Sequence, residues 1–285
     1  MTTDFREVHY SSVDGLSLYA RDYAGGAGIP VLCLPGLTRN AKDFEALAPW
    51  LAKSRRVICP DFRGRGNSQY ADDPSSYRPD VEMADTIALL DHLDVPRAGV
   101  IGTSRGGIVA MFMAAQAKER LAGVALNDIG PRIDVAGLLR IRTYLGRDPA
   151  LASWDEAAAA LKITNPGFDT LTEAQWQVFA RRVFREENGL PRADYDPQLT
   201  QGFPSAEAIA SGKVPELWSL FDQLAPLPAL VLRGENSDLL SAATVAEMQQ
   251  RHPGLATVTI PNRGHVPFLD EPAAMARIES WLARL

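Results

Sequence analysis

Residues 98–113, which read AGVIGTSRGGIVAMFM, decide the fold class. The stretch 99–103 is small and apolar, as in a buried strand, and the stretch 105–118 is typical of a helix. Between them, residues 102–106 match the pattern G-x-S-x-G. This pattern places the serine on a sharp strand-to-helix turn that exposes its hydroxyl, and the turn leaves no room for side chains at the glycines. Ser104 could instead be a simple N-cap, but the preceding strand favours a nucleophile.

The rest of the chain repeats this alternation of strand and helix. Two alternating segments, 5–11 and 16–23, meet at Asp14-Gly15 and predict a hairpin. Short apolar runs then alternate with helical stretches, which is typical of a buried parallel sheet with helices on both faces. The runs lie at 30–34, 56–59, 99–103, 123–127, 229–232 and 257–260, and the helical stretches at 42–52, 79–93, 105–118, 241–250 and 271–284.

The alternation breaks once, between residues 131 and 225. This stretch shows no strand signal, and capping boxes at Ser153 and Thr172 predict helices. We therefore expect a catalytic core formed by residues 1–130 and 226–285, with residues 131–225 inserted as a mainly helical cap. Such an insertion could add only stability, but it leaves the sheet at the end of a strand, which favours a cap over a binding site.

Composition excludes several classes of protein. The 29 basic and 35 acidic residues give a net charge of −6, and no cluster of lysine and arginine suits a nucleic-acid backbone. No apolar run approaches the roughly 20 residues of a membrane helix. Charged residues occupy the N-terminal stretch where a signal peptide would be apolar, and the two cysteines are too few for a disulfide framework. We expect a cytoplasmic protein without a nucleic-acid or membrane partner, and no feature indicates its oligomeric state.

Two further motifs make the chain similar to the α/β-hydrolase superfamily over nearly its whole length. LPGL at 34–37 follows the first apolar run, where that family has its oxyanion loop, and DFRGRGNS at 61–68 resembles the family's D-x-R-G-x-G-x-S turn. The sequence departs from the family at Pro35, where most relatives have histidine. The resemblance implies an α/β fold with a mostly parallel sheet of about eight strands flanked by helices. It also assigns 131–225 to the position of the helical lid.

His265 is the predicted general base among the four histidines. In the fold that the resemblance implies, the order along the chain is Ser…Asp/Glu…His, which excludes His9 and His92. His252 precedes the last strand, whereas His265 follows it, at the sheet edge where ligands of α/β proteins collect. His265 also lies in the family's closing motif, a Gly-His pair followed by Asp270.

Two aspartates compete for the role of the acid that orients this base. Asp238 follows the strand after the insertion, where most relatives carry the acid, and it is the predicted partner of His265. Asp128 ends the preceding strand, where some relatives carry the acid, although it could also be a turn residue. Asp270 is expected to cap the last helix.

These residues predict a serine hydrolase that forms an acyl-enzyme from a small-molecule carboxylic ester or lactone. Backbone N–H groups of Leu37 and Arg105 are expected to hold the oxyanion, and no cofactor or metal is expected. A hydrolase that cleaves C–C bonds in ring-cleavage products and a slow-turnover receptor for a small ligand are the alternatives. The expected partner is a small-molecule acyl substrate.

The pocket walls are expected to come from the insertion and the oxyanion loop. A basic side chain turned inward would suit a substrate that carries a carboxylate, although the arginines of the insertion could also be solvated. The candidates are Thr38, Arg142, Tyr144, Trp154, Trp176, Arg181 and Arg182.

Overall fold

Apolar runs that alternate with amphipathic stretches produce one central sheet with helices packed on both faces. The computed structural model describes residues 4–285, so residues 1–3 of the predicted core range lie outside the described residues. Two buried apolar clusters lie on opposite faces of the sheet, one against the helices that follow residues 78 and 104 and the other against the C-terminal helix. The predicted mostly parallel α/β fold is confirmed.

The structure gives the following bounds for strands and helices. The strands are β1 (Arg6–Ser11), β2 (Ser17–Leu34), β3 (Arg55–Asp61), β4 (Ala98–Thr103), β5 (Leu121–Asn127), β6 (Phe184–Glu187), β7 (Leu190–Ala193), β8 (Ala229–Gly234) and β9 (Ala256–Ile260). The helices are α1 (Leu47–Leu51), α2 (Pro79–His92), α3 (Arg105–Gln116), α4 (Val135–Tyr144), α5 (Trp154–Thr164), α6 (Glu173–Val183), α7 (Ala206–Ala210), α8 (Trp218–Phe221), α9 (Ala242–Arg251) and α10 (Pro272–Leu282).

The central sheet has seven strands, because two of the expected strands form one continuous strand, β2. Tyr23 and Val31, in the two halves of β2, both pair with Val57 of β3, so β3 lies between these halves. The chain turns at Gly25, where a Cβ would lie 2.0 Å from the carbonyl oxygen of Arg55. The second half of β2 pairs in parallel with β4, and β4, β5, β8 and β9 continue the parallel sheet. Ser104 therefore follows a central strand.

Residues 131–225 contain helices α4 to α8 and one short antiparallel hairpin of β6 and β7. Helices α5 and α6 bury an apolar cluster of their own, which includes Phe168, Trp176 and Phe179. The hairpin was missed in the sequence, although Asn188-Gly189 between two short strands is a strong signal for a two-residue turn. Both residues have positive φ angles, 52° and 78°, as a type I′ turn requires.

The longest helix of residues 4–285 is α2, with 14 residues. A membrane-spanning helix needs about 20 apolar residues. Within this range, no helix is long and apolar enough to span a bilayer.

Candidate active site

Ser104 occupies a strained turn between β4 and α3. Its φ and ψ angles are 50° and −110°, a conformation that non-glycine residues rarely adopt. The crowding is severe on both sides of the serine, since a Cβ at Gly102 would lie 2.5 Å from the Gly106 carbonyl oxygen and one at Gly106 would lie 2.2 Å from the Leu34 carbonyl oxygen. The turn therefore requires both glycines, as the sequence pattern indicated.

Replacing Gly106 with alanine is expected to lower the free energy of unfolding by about 3 kcal/mol or more, because the new methyl group meets backbone and not a movable side chain. Gly254→Ala is the matched control, since the nearest heavy atom to its Cβ would be 3.4 Å away. Urea unfolding of the two variants measures the difference. Equal stabilities would show that the turn can relax around a side chain.

Three side chains from separate loops meet at the carboxyl edge of the sheet. Nε2 of His265 lies 2.9 Å from Oγ of Ser104, and Nδ1 of His265 lies 2.7 Å from Oδ2 of Asp128. His265 follows β9, as expected, whereas Nε2 of His252 faces the carbonyl oxygens of Leu224 and Leu227. The structure thus brings together a hydroxyl, an imidazole and a carboxylate in a continuous hydrogen-bonded series.

Asp128 is held rigidly for this contact. It directly follows β5 and is fully buried. Its Oδ1 accepts from the Gly234 amide at 2.7 Å, and its Oδ2 accepts from the Ser237 hydroxyl at 2.7 Å. These donors satisfy a buried charge that would otherwise be costly, and they fix the orientation of the carboxylate toward His265.

The expectation that Asp238 contacts His265 is wrong in this structure. Asp238 instead accepts two hydrogen bonds from Arg140 of α4, at 2.5 Å from Nε and 2.8 Å from Nη2. Burial alone would raise the pKa of Asp238, but the Arg140 guanidinium, with a smaller contribution from His265, holds that pKa below its usual value. Asp238 lies four positions beyond the end of β8, and a partner from the insertion, which the sequence does not place, engages its carboxylate.

Two amide groups beside Ser104 are free to bind an anion. The amide of Arg105 is the first of α3, where helical N–H groups have no intrahelical acceptor. Within residues 4–285, neither this amide nor that of Leu37 donates a hydrogen bond. Leu37 lines the same cavity as Ser104, so these amides can serve as donors to an oxyanion there.

A cavity of about 140 Å³ opens above Ser104 and His265. The loop after β2 contributes Leu37 and Thr38. Residues 131–225 contribute the opposite wall from α4, α5, β6 and β7. Thr38 and Tyr144 were among the predicted wall residues. The other lining residues are Gly36, Arg39, Thr103, Ile141, Arg147, Pro149, Ala160, Leu161, Thr164, Asn165, Val183, Phe184, Ala193, Tyr195 and Val266.

Three predicted pocket residues, Arg142, Trp154 and Trp176, do not line this cavity. Arg142 donates to the Pro204 carbonyl oxygen, and Trp176 packs edge-on to Phe168 within the core of the insertion. Trp154 lies in a separate surface groove. These three side chains lie on faces of their helices that point away from the cavity, and the sequence alone does not set the rotation of a helix within an insertion.

The two adjacent arginines at the end of α6 are also absent from the cavity lining. Arg181 stacks on the Trp154 ring, 3.9 Å from its centroid, and pairs with Glu186. Arg182 is buried and its guanidinium lies 6.0 Å from the Phe268 centroid.

The cavity wall carries positive charge. Its two charged residues are Arg39, which forms an ion pair with Asp43, and Arg147, whose side chain has no hydrogen-bond or ion-pair partner among residues 4–285. Neither arginine was a predicted pocket residue, and no aspartate or glutamate among the described residues lines this cavity. In the same range, no group of three or more His, Cys, Asp or Glu side chains is placed to hold a metal ion.

Some of the wall could have been found in the sequence. Phe184 and Ala193 reach the cavity from the hairpin, which the Asn-Gly turn signal predicts. Arg39 follows the LPGL motif at 34–37 by two residues, so proximity along the chain indicated it. Arg147 and Tyr195 depend on the path of the insertion and carry no such local signal.

Comparison with known proteins finds relatives that are hydrolases. The model of the alpha/beta hydrolase family matches residues 31–278. The solved structure of an alpha/beta hydrolase from Novosphingobium aromaticivorans is 42% identical, covers both chains fully and has a TM-score of 0.92. A 3-hydroxybutyrate-oligomer hydrolase from Cupriavidus necator is 34% identical over 86% of this chain and 85% of its own. A 3-oxoadipate enol-lactonase from Acinetobacter baylyi is 29% identical over 90% of each.

Proposed function

Since this chain belongs to the alpha/beta hydrolase family, we propose that it is a serine hydrolase that cleaves a carboxylic ester or a lactone through an acyl-enzyme. The observation that carries the proposal is the hydrogen-bonded series from Ser104 through His265 to Asp128 at the base of a cavity. The names of two relatives, an oligomer hydrolase and an enol-lactonase, are consistent with it.

The first half of the reaction makes the acyl-enzyme. With Nδ1–H of His265 donating to Asp128, Nε2 is free to take the proton of Ser104 as Oγ attacks the acyl carbon. The amides of Leu37 and Arg105 stabilise the negative oxygen of the tetrahedral intermediate. Collapse of this intermediate breaks the bond to the leaving alcohol or enol, which receives the proton from His265.

The second half releases the acid. A water molecule gives its proton to Nε2 of His265 and attacks the acyl carbon, and the same two amides hold the second oxyanion. The bond to Oγ of Ser104 then breaks, and the proton on His265 returns to the serine. Residues 131–225 act in this scheme as a cap that limits which acyl groups reach Ser104.

Activity profiling tests the reaction class. We expect turnover of p-nitrophenyl esters of graded acyl length and of small lactones, together with labelling of Ser104 by a fluorophosphonate. Faster turnover of a ring-cleavage dienoate than of every ester and lactone would favour the C–C hydrolase instead. A receptor would be favoured if the fluorophosphonate labels Ser104 but the protein hydrolyses the esters more slowly than free imidazole does at the same concentration. A small ligand should then raise the melting temperature of the protein.

Arg147 is expected to give the enzyme a preference for esters whose acyl chain carries a carboxylate. Replacing Arg147 with alanine is expected to raise KM about three- to fivefold for a p-nitrophenyl ester whose acyl chain ends in a carboxylate, because Arg147 lines the cavity and its exposed, unpaired side chain can form an ion pair with that group. The KM for a neutral ester of the same length should change less than about twofold.

Arg142→Ala is the matched control, since Arg142 lies in the same insertion but outside the cavity wall. Steady-state kinetics of both variants on the two esters measure the effect. Equal changes for the charged and the neutral ester would remove Arg147 from substrate recognition.

A further inference from the structure

A buried cluster of three charged side chains lies beneath the loops that carry the two free amides. Glu82 of α2 is fully buried, and Nη2 of Arg65 lies 2.8 Å from its Oε1 while Nε of Arg105 lies 2.6 Å from its Oε2. Arg65 is equally buried, and 9% of the Arg105 side chain is exposed. The reaction scheme above assigns no role to any of these side chains.

One arm of the cluster reaches the oxyanion loop. Nε of Arg65 donates to the carbonyl oxygen of Leu37 at 2.8 Å, and Nη1 donates to the carbonyl oxygen of Arg63 at 2.6 Å. The Leu37 carbonyl belongs to the peptide that follows the free Leu37 amide. Arg65 is held by these two hydrogen bonds to backbone carbonyls and by the charge of Glu82, which lies close to Nη2 without a well-aligned hydrogen bond. It therefore restrains the backbone at Leu37 and the direction in which the amide points.

The other arm reaches the turn of Ser104. Besides its contact with Glu82, Arg105 donates from Nη2 to the carbonyl oxygen of Tyr77 at 3.0 Å. These two contacts anchor the residue whose own amide is the second free donor. Glu82 thus joins both donor-bearing segments through its two carboxylate oxygens.

Burying such a cluster is costly, and a well-packed apolar replacement often stabilises a fold as well or better. Burial raises the pKa of Glu82, but the charges of Arg105 and Arg65 outweigh this effect and keep the pKa below its usual value. Glu82 is therefore ionised, and the cluster of two guanidinium groups and one carboxylate has a net positive charge. A positive charge beneath the two amides also favours a negative oxygen between them.

We propose that Glu82 is a positioning residue for the oxyanion hole, acting through Arg65 on Leu37 and through Arg105 on the amide next to Ser104. This inference rests on the proposed function, since it concerns the geometry in which the acyl oxygen is held. Displacing such donors by about 1 Å costs on the order of 100-fold in rate. The effect falls on the transition state, because the oxygen carries its full charge only there.

Glu82→Gln is the test, with Asp85→Asn as its matched control. Glutamine keeps the size of the side chain, but its NH2 group faces one guanidinium and so breaks one arm of the cluster. Asp85 lies on the same helix and is buried against Arg63 through two hydrogen bonds of 2.7 Å. The Arg63 side chain contacts Asp85 and Asp14, and its bonds reach neither Leu37 nor Arg105.

Both variants are expected to lose stability to a similar extent, but they should differ in catalysis. In Glu82→Gln, kcat for a p-nitrophenyl ester should fall about 10- to 100-fold with KM within about threefold. Affinity for a trifluoromethyl ketone, whose adduct with Ser104 carries an oxyanion, should fall by a similar factor. In Asp85→Asn, both kcat and this affinity should stay within about twofold.

Arg65→Lys provides a second variant if Glu82→Gln does not fold. Lysine keeps the charge near Glu82 but cannot donate to the carbonyl oxygens of Leu37 and Arg63 in the fixed planar geometry of a guanidinium, so the same loss of kcat is expected. Equal kcat values for the Glu82 and Asp85 variants, or an unchanged kcat in Arg65→Lys, would overturn the positioning role while leaving the serine hydrolase intact. A wild-type protein that cleaves no ester or lactone would overturn the proposed function and this role together.

Discussion

Replacing Ser104 with alanine is expected to lower kcat for ester hydrolysis by at least about 10⁴-fold, with little change in stability. The expected loss is large because, among residues 4–285, no other hydroxyl or thiol lies within hydrogen-bond distance of Nε2 of His265. Binding of the ester should persist, since the cavity wall and the two free amides are unchanged. Single-turnover kinetics, which separate binding from chemistry, measure the effect.

Ser241→Ala is the matched control for the loss of a serine hydroxyl. The Ser241 hydroxyl caps α9 and accepts from the Thr244 amide at 3.2 Å, outside the cavity wall. Its loss should cost about 1 kcal/mol of stability and leave kcat unchanged. Retention of more than about one hundredth of the activity in Ser104→Ala would contradict nucleophilic attack by this residue.

The second large effect is expected at Asp128, the carboxylate that contacts His265. Replacing Asp128 with asparagine should lower kcat by about 10⁴-fold, because an amide in this position no longer favours the tautomer of His265 whose Nε2 accepts a proton. The size of the side chain is kept, so the loss arises from the proton arrangement and not from a cavity. Steady-state kinetics of Asp128→Asn measure it.

Asp238→Asn provides the contrast, because it removes a carboxylate of the same type that binds Arg140 and not His265. We expect kcat within a few-fold of the wild type and a lower melting temperature. Because the folded-state pKa of Asp238 lies below its unfolded value, the stabilisation by this pair is complete above the unfolded pKa of about 3.9 and is lost as pH falls through the folded value. The difference in melting temperature should therefore shrink in acid. A large loss of kcat in Asp238→Asn with a small one in Asp128→Asn would reverse the assignment.

The sequence could predict that Ser104 and His265 lie at one edge of the sheet, because their positions depend on local chain geometry. A strand, a turn with two crowded glycines and a helix lie within one short stretch, and this stretch needs no distant contact to be recognised. His265 follows the last strand, and parallel strands bring their carboxyl ends to one edge of the sheet.

The acid could not be settled in this way. Asp128 and Asp238 both follow parallel strands, and both lie between Ser104 and His265 in the chain. Neither the order of residues along the chain nor the position at the carboxyl edge of the sheet therefore shows which aspartate contacts His265. The distinction depends on Arg140, 98 positions from Asp238, and on the amide of Gly234, 106 positions from Asp128. These contacts form only when the insertion and the core are in place.

The pocket wall was predicted least well, for a related physical reason. Composition and capping boxes predict that helices form within residues 131–225, but the rotation of each helix about its axis is set by packing. Trp176 faces Phe168 and Phe179, whereas Tyr144 lines the same cavity as Ser104. Both are aromatic residues on helices, and their sequence contexts do not distinguish the two environments.

Trapping the covalent intermediate tests the central claim most directly. The protein is mixed with a p-nitrophenyl ester, quenched in acid during the burst of p-nitrophenol and mapped by mass spectrometry, with Ser104→Ala treated in parallel. We predict a mass increase equal to the acyl group on the peptide that contains Ser104, and none in the variant. Continued hydrolysis with no acyl group on that peptide, or with acylation of another residue, would contradict the account.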